Sequence, residues 1–192
     1  MKSYWSITML IISRFRGVKN SLWWVFFLIY LYKSLYVNKH KQKLYIMRDK
    51  EQTLTYIKPD AMEHLDDILN HILKSGFDII FVSEPIQLTR EQAETFYAEH
   101  KGKSFFENLV QHTISGPIVV AMLEKHNAIK DFRTCIGDAD PAKAEIGTIR
   151  NLYGNPELYA QGIPANAIHG SDSPERVRIE AAVLIPEFEF EV

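Results

Sequence analysis

The chain has 192 residues, enough for one domain with its own core and an appendage, and its single cysteine, Cys135, excludes an intramolecular disulfide and points to a reducing, cytoplasmic setting. The formal net charge of −2 conceals a division: residues 1–46 hold eight Lys/Arg and no Asp/Glu, leaving 14 basic and 24 acidic residues after them. An acidic body of that kind argues against a general nucleic-acid-binding surface, so any polyanion must be met locally by a few placed cations.

The basic segment is dominated by the run from Leu22 to Tyr32, with Arg14, Arg16 and Lys19 before it and Lys33, Lys39, Lys41 and Lys43 after it. Its eleven apolar or aromatic residues fall short of the roughly 20 that span a bilayer, which leaves at most a weak membrane anchor. No small-residue cleavage site follows, so a signal peptide fits poorly. The composition changes abruptly at Met47, and the favoured reading is that 1–46 is an extension outside the working protein, translation starting at Met47, with the domain proper in 47–192. Membrane association is expected only through 1–46.

Beyond Met47, Gln52 to Ile57 reads as a strand ended by Lys58-Pro59-Asp60. Asp60 with Glu63 predicts a capping-box start to a helix whose apolar positions are Leu65, Ile68, Leu69, Ile72 and Leu73, closed by Gly76. Phe77 to Val82 reads as a mostly buried strand. Thr89 and Gln92 form a second capping box, opening a helix with Ala93, Phe96 and Tyr97 on one side. A helix through Phe105 to Val110 stops near Ser115-Gly116, and Pro117 to Leu123 is an apolar strand. A helix at 127–136, an irregular region around 138–141, a short strand at Ala167-Ile168 and a final helix complete the order. Pairing Phe81 to Leu88 with Ile118 to Leu123 gives an α+β fold: a ferredoxin-like βαββαβ antiparallel sheet with helices on one face, plus extra helices and a long loop.

The candidate nucleophile is His169, set in Asn166-Ala167-Ile168-His169-Gly170-Ser171-Asp172. Ser173-Pro174 reads as an N-cap with proline at the first helical position, so a helix start beside His169 favours anionic groups, and Gly170 lets a backbone or a ligand come close. Glu180, in that helix, can reach back to one ring nitrogen and leave the other free to attack. Taken alone, such a histidine is more often a hydrogen-bonded structural residue, so its companions must carry the reading.

From Thr53 to Phe188 the sequence resembles the nucleoside diphosphate kinases, the pieces standing in the family's order: Ile57-Lys58-Pro59-Asp60, Phe96-Tyr97, Phe105-Phe106, Ser115-Gly116-Pro117, Gly147-Thr148-Ile149-Arg150, and Asn166 through Asp172. The resemblance implies that His169 takes the γ-phosphate of a nucleoside triphosphate and passes it to a diphosphate in a ping-pong cycle. It implies that Glu180 holds the imidazole and Ser171 holds that carboxylate. Lys58, Arg133 and Arg150 would meet the phosphates, and Tyr97 would support Lys58 and the transferring group through its hydroxyl. Asn166 with Lys58 would bind ribose hydroxyls, and the base would lie on Phe105 with Leu109 beside it. Mg²⁺ should arrive on the nucleotide phosphates, with Asp172 near one of its waters and no protein metal site. The family also implies a homo-oligomer. Singly, Tyr97 and Phe105 read as core residues and the arginines as partners of surface acids; as a set they read as a site.

The chain departs from the pattern in four places. Ala139 stands where the family usually has a threonine touching the β-phosphate, and Asp138 adds negative charge beside it. Ile146 replaces a proline, the segment between Lys58 and Gly76 is shorter than in the common members, and 15 residues separate Arg150 from Asn166, more than usual. These changes are the case for the alternative, a nucleotide-binding or scaffold module of the same fold with weak or no kinase activity.

Overall fold

In the computed structural model residues 50–190 are described, and the expectations for 1–46 lie outside them. Four strands, β1 (Glu51–Ile57), β2 (Asp78–Val82), β3 (Val119–Lys125) and β4 (Ile168–Gly170), form one antiparallel sheet in the order β2-β3-β1-β4. That order, with the connections between the strands, is the ferredoxin-like arrangement the sequence predicts. The strand period of two explains how the sheet is buried. Leu54, Tyr56, Val120 and Met122 line one face, while Ile57, Val119, Ala121 and Leu123 line the other, all essentially without exposure.

The expectation of helices on one face holds for only part of the fold. The two crossover helices, α1 (Leu65–Lys74) and α4 (Ala128–Ile136), bring Ile68, Ile72, Phe132 and Ile136 to the face lined by Ile57. The opposite face is covered by α2 (Arg90–Phe96), α3 (Phe106–Thr113) and α7 (Pro174–Leu184), through Ala93, Phe96, Val110, Val177 and Ala181. Two central strands apolar on both faces require such a second layer, since either bare face would leave large side chains in water.

Three local expectations change. The run before Ser83 is an edge strand paired with β3 alone, irregular in register between Ile79 and Phe81, and its exposure alternates so that Ile80 and Val82 are exposed. The capping box at Asp60 does not form: Pro59–His64 is a 3-10 turn without a side-chain cap, and the Asp60 carboxylate is used elsewhere. The longer segment between Arg150 and Asn166 holds two short helices, α5 (Ile149–Tyr153) and α6 (Pro156–Ala160), the second capped by Asn155 accepting from the Leu158 N–H at 3.0 Å. The capping box at Thr89 and Gln92 forms as predicted, and Ser173 caps α7 by accepting from the Arg176 N–H.

Candidate active site

β4 is three residues long, and its register on β1 sets Ile57 opposite Ile168, Tyr56 opposite His169 and Thr55 opposite Gly170. Gly170 cannot carry a side chain here, since a Cβ would lie 2.9 Å from the Phe132 ring. Its close approach is therefore to helix α4 rather than to a ligand. One edge of the His169 imidazole faces α7. Nε2 lies 2.9 Å from Oε2 of Glu180, a carboxylate 2 % exposed. The same oxygen accepts from Ser171 Oγ at 2.5 Å, and Oε1 accepts from Arg176 Nη2 at 3.2 Å. Burial pushes the Glu180 carboxyl up, but the His169, Ser171 and Arg176 contacts outweigh it and hold the pKa below the usual value. An ionised carboxylate only accepts, so Nε2 carries the imidazole hydrogen and Nδ1 keeps the lone pair.

The ring is also held sterically. It stacks on Tyr56 with centroids 5.1 Å apart and planes at 18°, and meets Phe96 edge-on at 5.1 Å. The Tyr97 hydroxyl is tied to the Tyr56 hydroxyl by a short bond and lies 3.3 Å from Thr113 Oγ1. That is not the contact to Lys58 that the resemblance implies, although Tyr97 lines the same cleft as Lys58 and His169.

Three cations surround β4. Lys58 follows directly on β1 and its Nζ donates to Asn166 Oδ1 at 2.7 Å and to the Pro164 carbonyl at 2.9 Å. Asn166 in turn donates from Nδ2 to the Ala139 carbonyl at 2.8 Å, linking the end of β1 to the 138–141 region. Burial lowers the Lys58 pKa to about 7, opposed by nearby Asp60 and reinforced by Arg150. Arg150, 4 % exposed, donates from Nε and Nη2 to the Ile168 carbonyl and from Nη1 to that of Gly137. Its pKa falls to about 10 through burial and the charge of Arg133. Arg133 is exposed and donates from Nη1 to the Gly170 carbonyl at 3.2 Å. The two arginines thus hold the carbonyls on either side of His169.

Asp60, which sequence reasoning placed at a helix cap, braces this segment. Its Oδ2 accepts from the Ala167 N–H at 2.9 Å and its Oδ1 pairs with His112 Nε2 at 2.7 Å. Ala167 has φ of 66°, a left-handed backbone that a non-glycine residue adopts only at a cost of about 1–2 kcal/mol. Burial raises the Asp60 carboxyl, but the His112 bond and the Lys58 charge bring it below its ordinary value.

These groups open on a cleft of about 560 Å³. Phe105, Leu109, His100, Tyr159 and Ile163 form its less polar part, while Arg133, Arg150, His169 and Asp172 also line it. Phe105 is 46 % exposed, an aromatic face open to a flat ligand. Asn108 donates to the Gly162 carbonyl at 2.8 Å and ties α3 to the segment after α6. Sequence reasoning missed Tyr56, Arg176, Thr113 and His112. Arg176 carried a signal, one helical turn before Glu180; the others reach the site only through tertiary packing.

The model of the family described as "Nucleoside diphosphate kinase" matches residues 51–190. The chain belongs to the nucleoside diphosphate kinase family. A relative of that name from Bradyrhizobium diazoefficiens is 44 % identical over 133 residues, 69 % of this chain and 91 % of its own length. One from Histophilus somni is 44 % identical over 141 residues, 72 % of this chain and 95 % of its own. Among solved structures, the nucleoside diphosphate kinase of Aquifex aeolicus superposes with a TM-score of 0.65 at 38 % identity, covering 71 % of this chain and 95 % of that one. A halophilic nucleoside diphosphate kinase from Halobacterium salinarum, in complex with CDP, gives 0.63 at 31 %, covering 71 % and 88 %. The protein is therefore a phosphotransferase of this family, transferring the terminal phosphate of nucleoside triphosphates to diphosphates, and the scaffold reading is not favoured. The departures at Ala139 and in the 151–165 segment lie within this kinase body. Ala139 contributes only its backbone carbonyl among the described hydrogen bonds, to Asn166.

Proposed function

We propose that His169 carries the phosphate. The observation behind this is that Glu180 fixes Nε2 while Nδ1 is left with its lone pair in a cleft lined by Lys58, Arg133 and Arg150. In the first half-reaction Nδ1 forms a bond to the γ-phosphorus, the bond from that phosphorus to the β-bridging oxygen breaks, and the diphosphate leaves with the electron pair. In the second, the terminal oxygen of an incoming diphosphate attacks the same phosphorus and Nδ1 leaves with its lone pair restored. No net proton transfer by the imidazole is needed, so the protein's work is positioning and charge neutralisation. As Nδ1 gains its bond the ring becomes cationic, and Glu180, steadied by Ser171 and Arg176, is placed to stabilise it.

Lys58, Arg133 and Arg150 take the phosphate oxygens, Asn166 with Lys58 the ribose hydroxyls, Phe105 and Leu109 the base, and the Tyr97 hydroxyl the transferring group. Stacking on an aromatic face is worth roughly 1–3 kcal/mol per base and tolerates any base, which fits a broad nucleotide range. The CDP held by the Halobacterium salinarum kinase supports a nucleotide in this cleft. Asp172 lines the cleft, where its carboxylate would face Mg²⁺ carried in on the nucleotide phosphates. When bound, Mg²⁺ neutralises charge on the phosphates. The exposed Ile80 and Val82 on edge strand β2 support self-association as a homo-oligomer. A cytoplasmic setting is supported by the lone cysteine; among the described residues no helix is long and apolar enough to cross a membrane.

His169→Ala tests the assignment. Acid-labile phosphorylation by γ-labelled ATP and transfer to GDP disappear, while nucleotide binding persists because the cations remain. Label retained on that variant removes His169 from the role.

A further inference from the structure

We propose that Tyr56 is a positioning residue of the phosphotransfer site, aligning the His169 imidazole through its ring and the Tyr97 hydroxyl through its own. The inference rests on the reading of His169 as nucleophile and extends it to a residue that never touches substrate. Tyr56 is fully buried and is not among the residues lining the cleft. Whatever it does, it does through its neighbours.

Two of those neighbours are site residues. Tyr56 sits directly opposite His169 in the β1–β4 register, and cross-strand partners on one face lie close enough for their rings to meet. They do so as a near-parallel stack, with centroids 5.1 Å apart and planes at 18°. Phe96 closes the corner, edge-on to Tyr56 at 5.6 Å and to His169 at 5.1 Å. With one imidazole face on Tyr56, Phe96 against the ring and Nε2 bound to Glu180, the imidazole has little freedom to rotate. A single hydrogen bond donated to Glu180 would fix the nitrogen but leave the ring plane free to swing about it. The Tyr56 face removes that freedom and so sets where the Nδ1 lone pair points.

The second contact is at the hydroxyl. Tyr56, Tyr97 and Thr113 bring three hydroxyls together: the short Tyr56–Tyr97 bond, Tyr97 to Thr113 at 3.3 Å and Tyr56 to Thr113 at 3.5 Å. Burial raises both the Tyr56 and the Tyr97 phenols above their ordinary pKa, so both keep their hydrogens and either can donate across the short bond. With Tyr56 donating to the Tyr97 oxygen, the Tyr97 hydrogen is released to turn toward the cleft that Tyr97 lines, where a phosphate oxygen accepts it. One buried phenol thus orients both the attacking nitrogen and a donor for the group transferred.

The test is a double-mutant cycle on the full chain with Tyr56→Phe and Tyr97→Phe, read by the single-turnover rate of phosphohistidine formation and by KM for ADP. Tyr56→Phe keeps the ring and removes only the hydroxyl. The rate should fall by about fivefold to tenfold with KM within about twofold of the parent. The double variant should be no slower than Tyr97→Phe alone, within about twofold, because both single changes remove the same hydroxyl alignment. A third variant, Tyr56→Leu, removes the ring; NMR should show His169 ring protons shifted upfield in the parent and in Tyr56→Phe but not in Tyr56→Leu. Parent-like rates in Tyr56→Phe, or losses that multiply in the double variant, overturn the hydroxyl role. His169 shifts unchanged in a folded Tyr56→Leu overturn the ring role. If His169→Ala still becomes labelled, the fault lies with the nucleophile assignment; if it does not and Tyr56→Phe is unimpaired, only the inference about Tyr56 fails.

Discussion

Lys58 is the residue whose protonation is most exposed to experiment. Its ammonium is buried among Asn166, Pro164 and the Arg150 charge, and its pKa drops to about 7. Phosphate in the cleft favours the charged form, so nucleotide binding should take up a proton above neutrality. Affinity for ADP should weaken as pH rises from about 7 toward 9, approaching tenfold per unit, and Lys58→Met should flatten the profile. The ligand-free protein behaves in the opposite sense. Between about 7 and 10.5 the unfolded chain holds the Lys58 proton and the folded chain does not, so this group adds stability as pH rises. Calorimetric titration across that range reads the first effect, and an affinity independent of pH contradicts the burial of Lys58. Single residues of this kind were only partly legible in the sequence. Lys58, His169 and Glu180 stand in motifs, but the Lys58 partners Pro164 and Asn166 follow it by more than a hundred positions, and no local pattern announces them.

The element most open to test is the segment from Asn166 to His169, held in place by Asp60. Its carboxylate supplies the Ala167 N–H with an acceptor and the His112 ring with a partner, while Ala167 stays in the left-handed region. Asp60→Ala leaves both groups without that acceptor and should cost about 2–4 kcal/mol in urea unfolding, with a larger proportional loss of transfer rate. Asp60→Asn, which keeps an acceptor oxygen, should lose less. A change below about 0.5 kcal/mol in Asp60→Ala would show that the segment holds its shape unaided. The sequence misled at this point because Asp60 followed by Glu63 fits the capping box, and a carboxylate at that position can serve either its own helix or a distant strand. The same ambiguity affected β2: Phe77 to Val82 is apolar apart from Asp78, and the unbroken run Ile79 to Val82 does not say that Ile80 and Val82 are exposed on an edge strand. Thr89 with Gln92, and Ser173 with Pro174, were legible because their bonds close within one turn.

At the scale of the whole molecule, strand order was readable because each crossover leaves a periodic signature, whereas the second helical layer was not, since α2, α3 and α7 look locally like any other amphipathic helices. The family match begins at residue 51 and every proposed site residue lies between Tyr56 and Glu180. The chain from 47 to 192 should therefore match the full chain in thermal midpoint and in ATP-to-GDP transfer; a large loss in either would make residues 1–46 integral to the fold. The central claim is that one histidine nitrogen shuttles the phosphate in two separable steps. It is tested most directly by incubating the protein with γ-labelled ATP, removing free nucleotide and adding GDP. Acid-labile label should form on His169 with release of ADP and then pass quantitatively to GTP on the chase. Steady transfer from ATP to GDP without labelled protein, or label on any other residue, contradicts it.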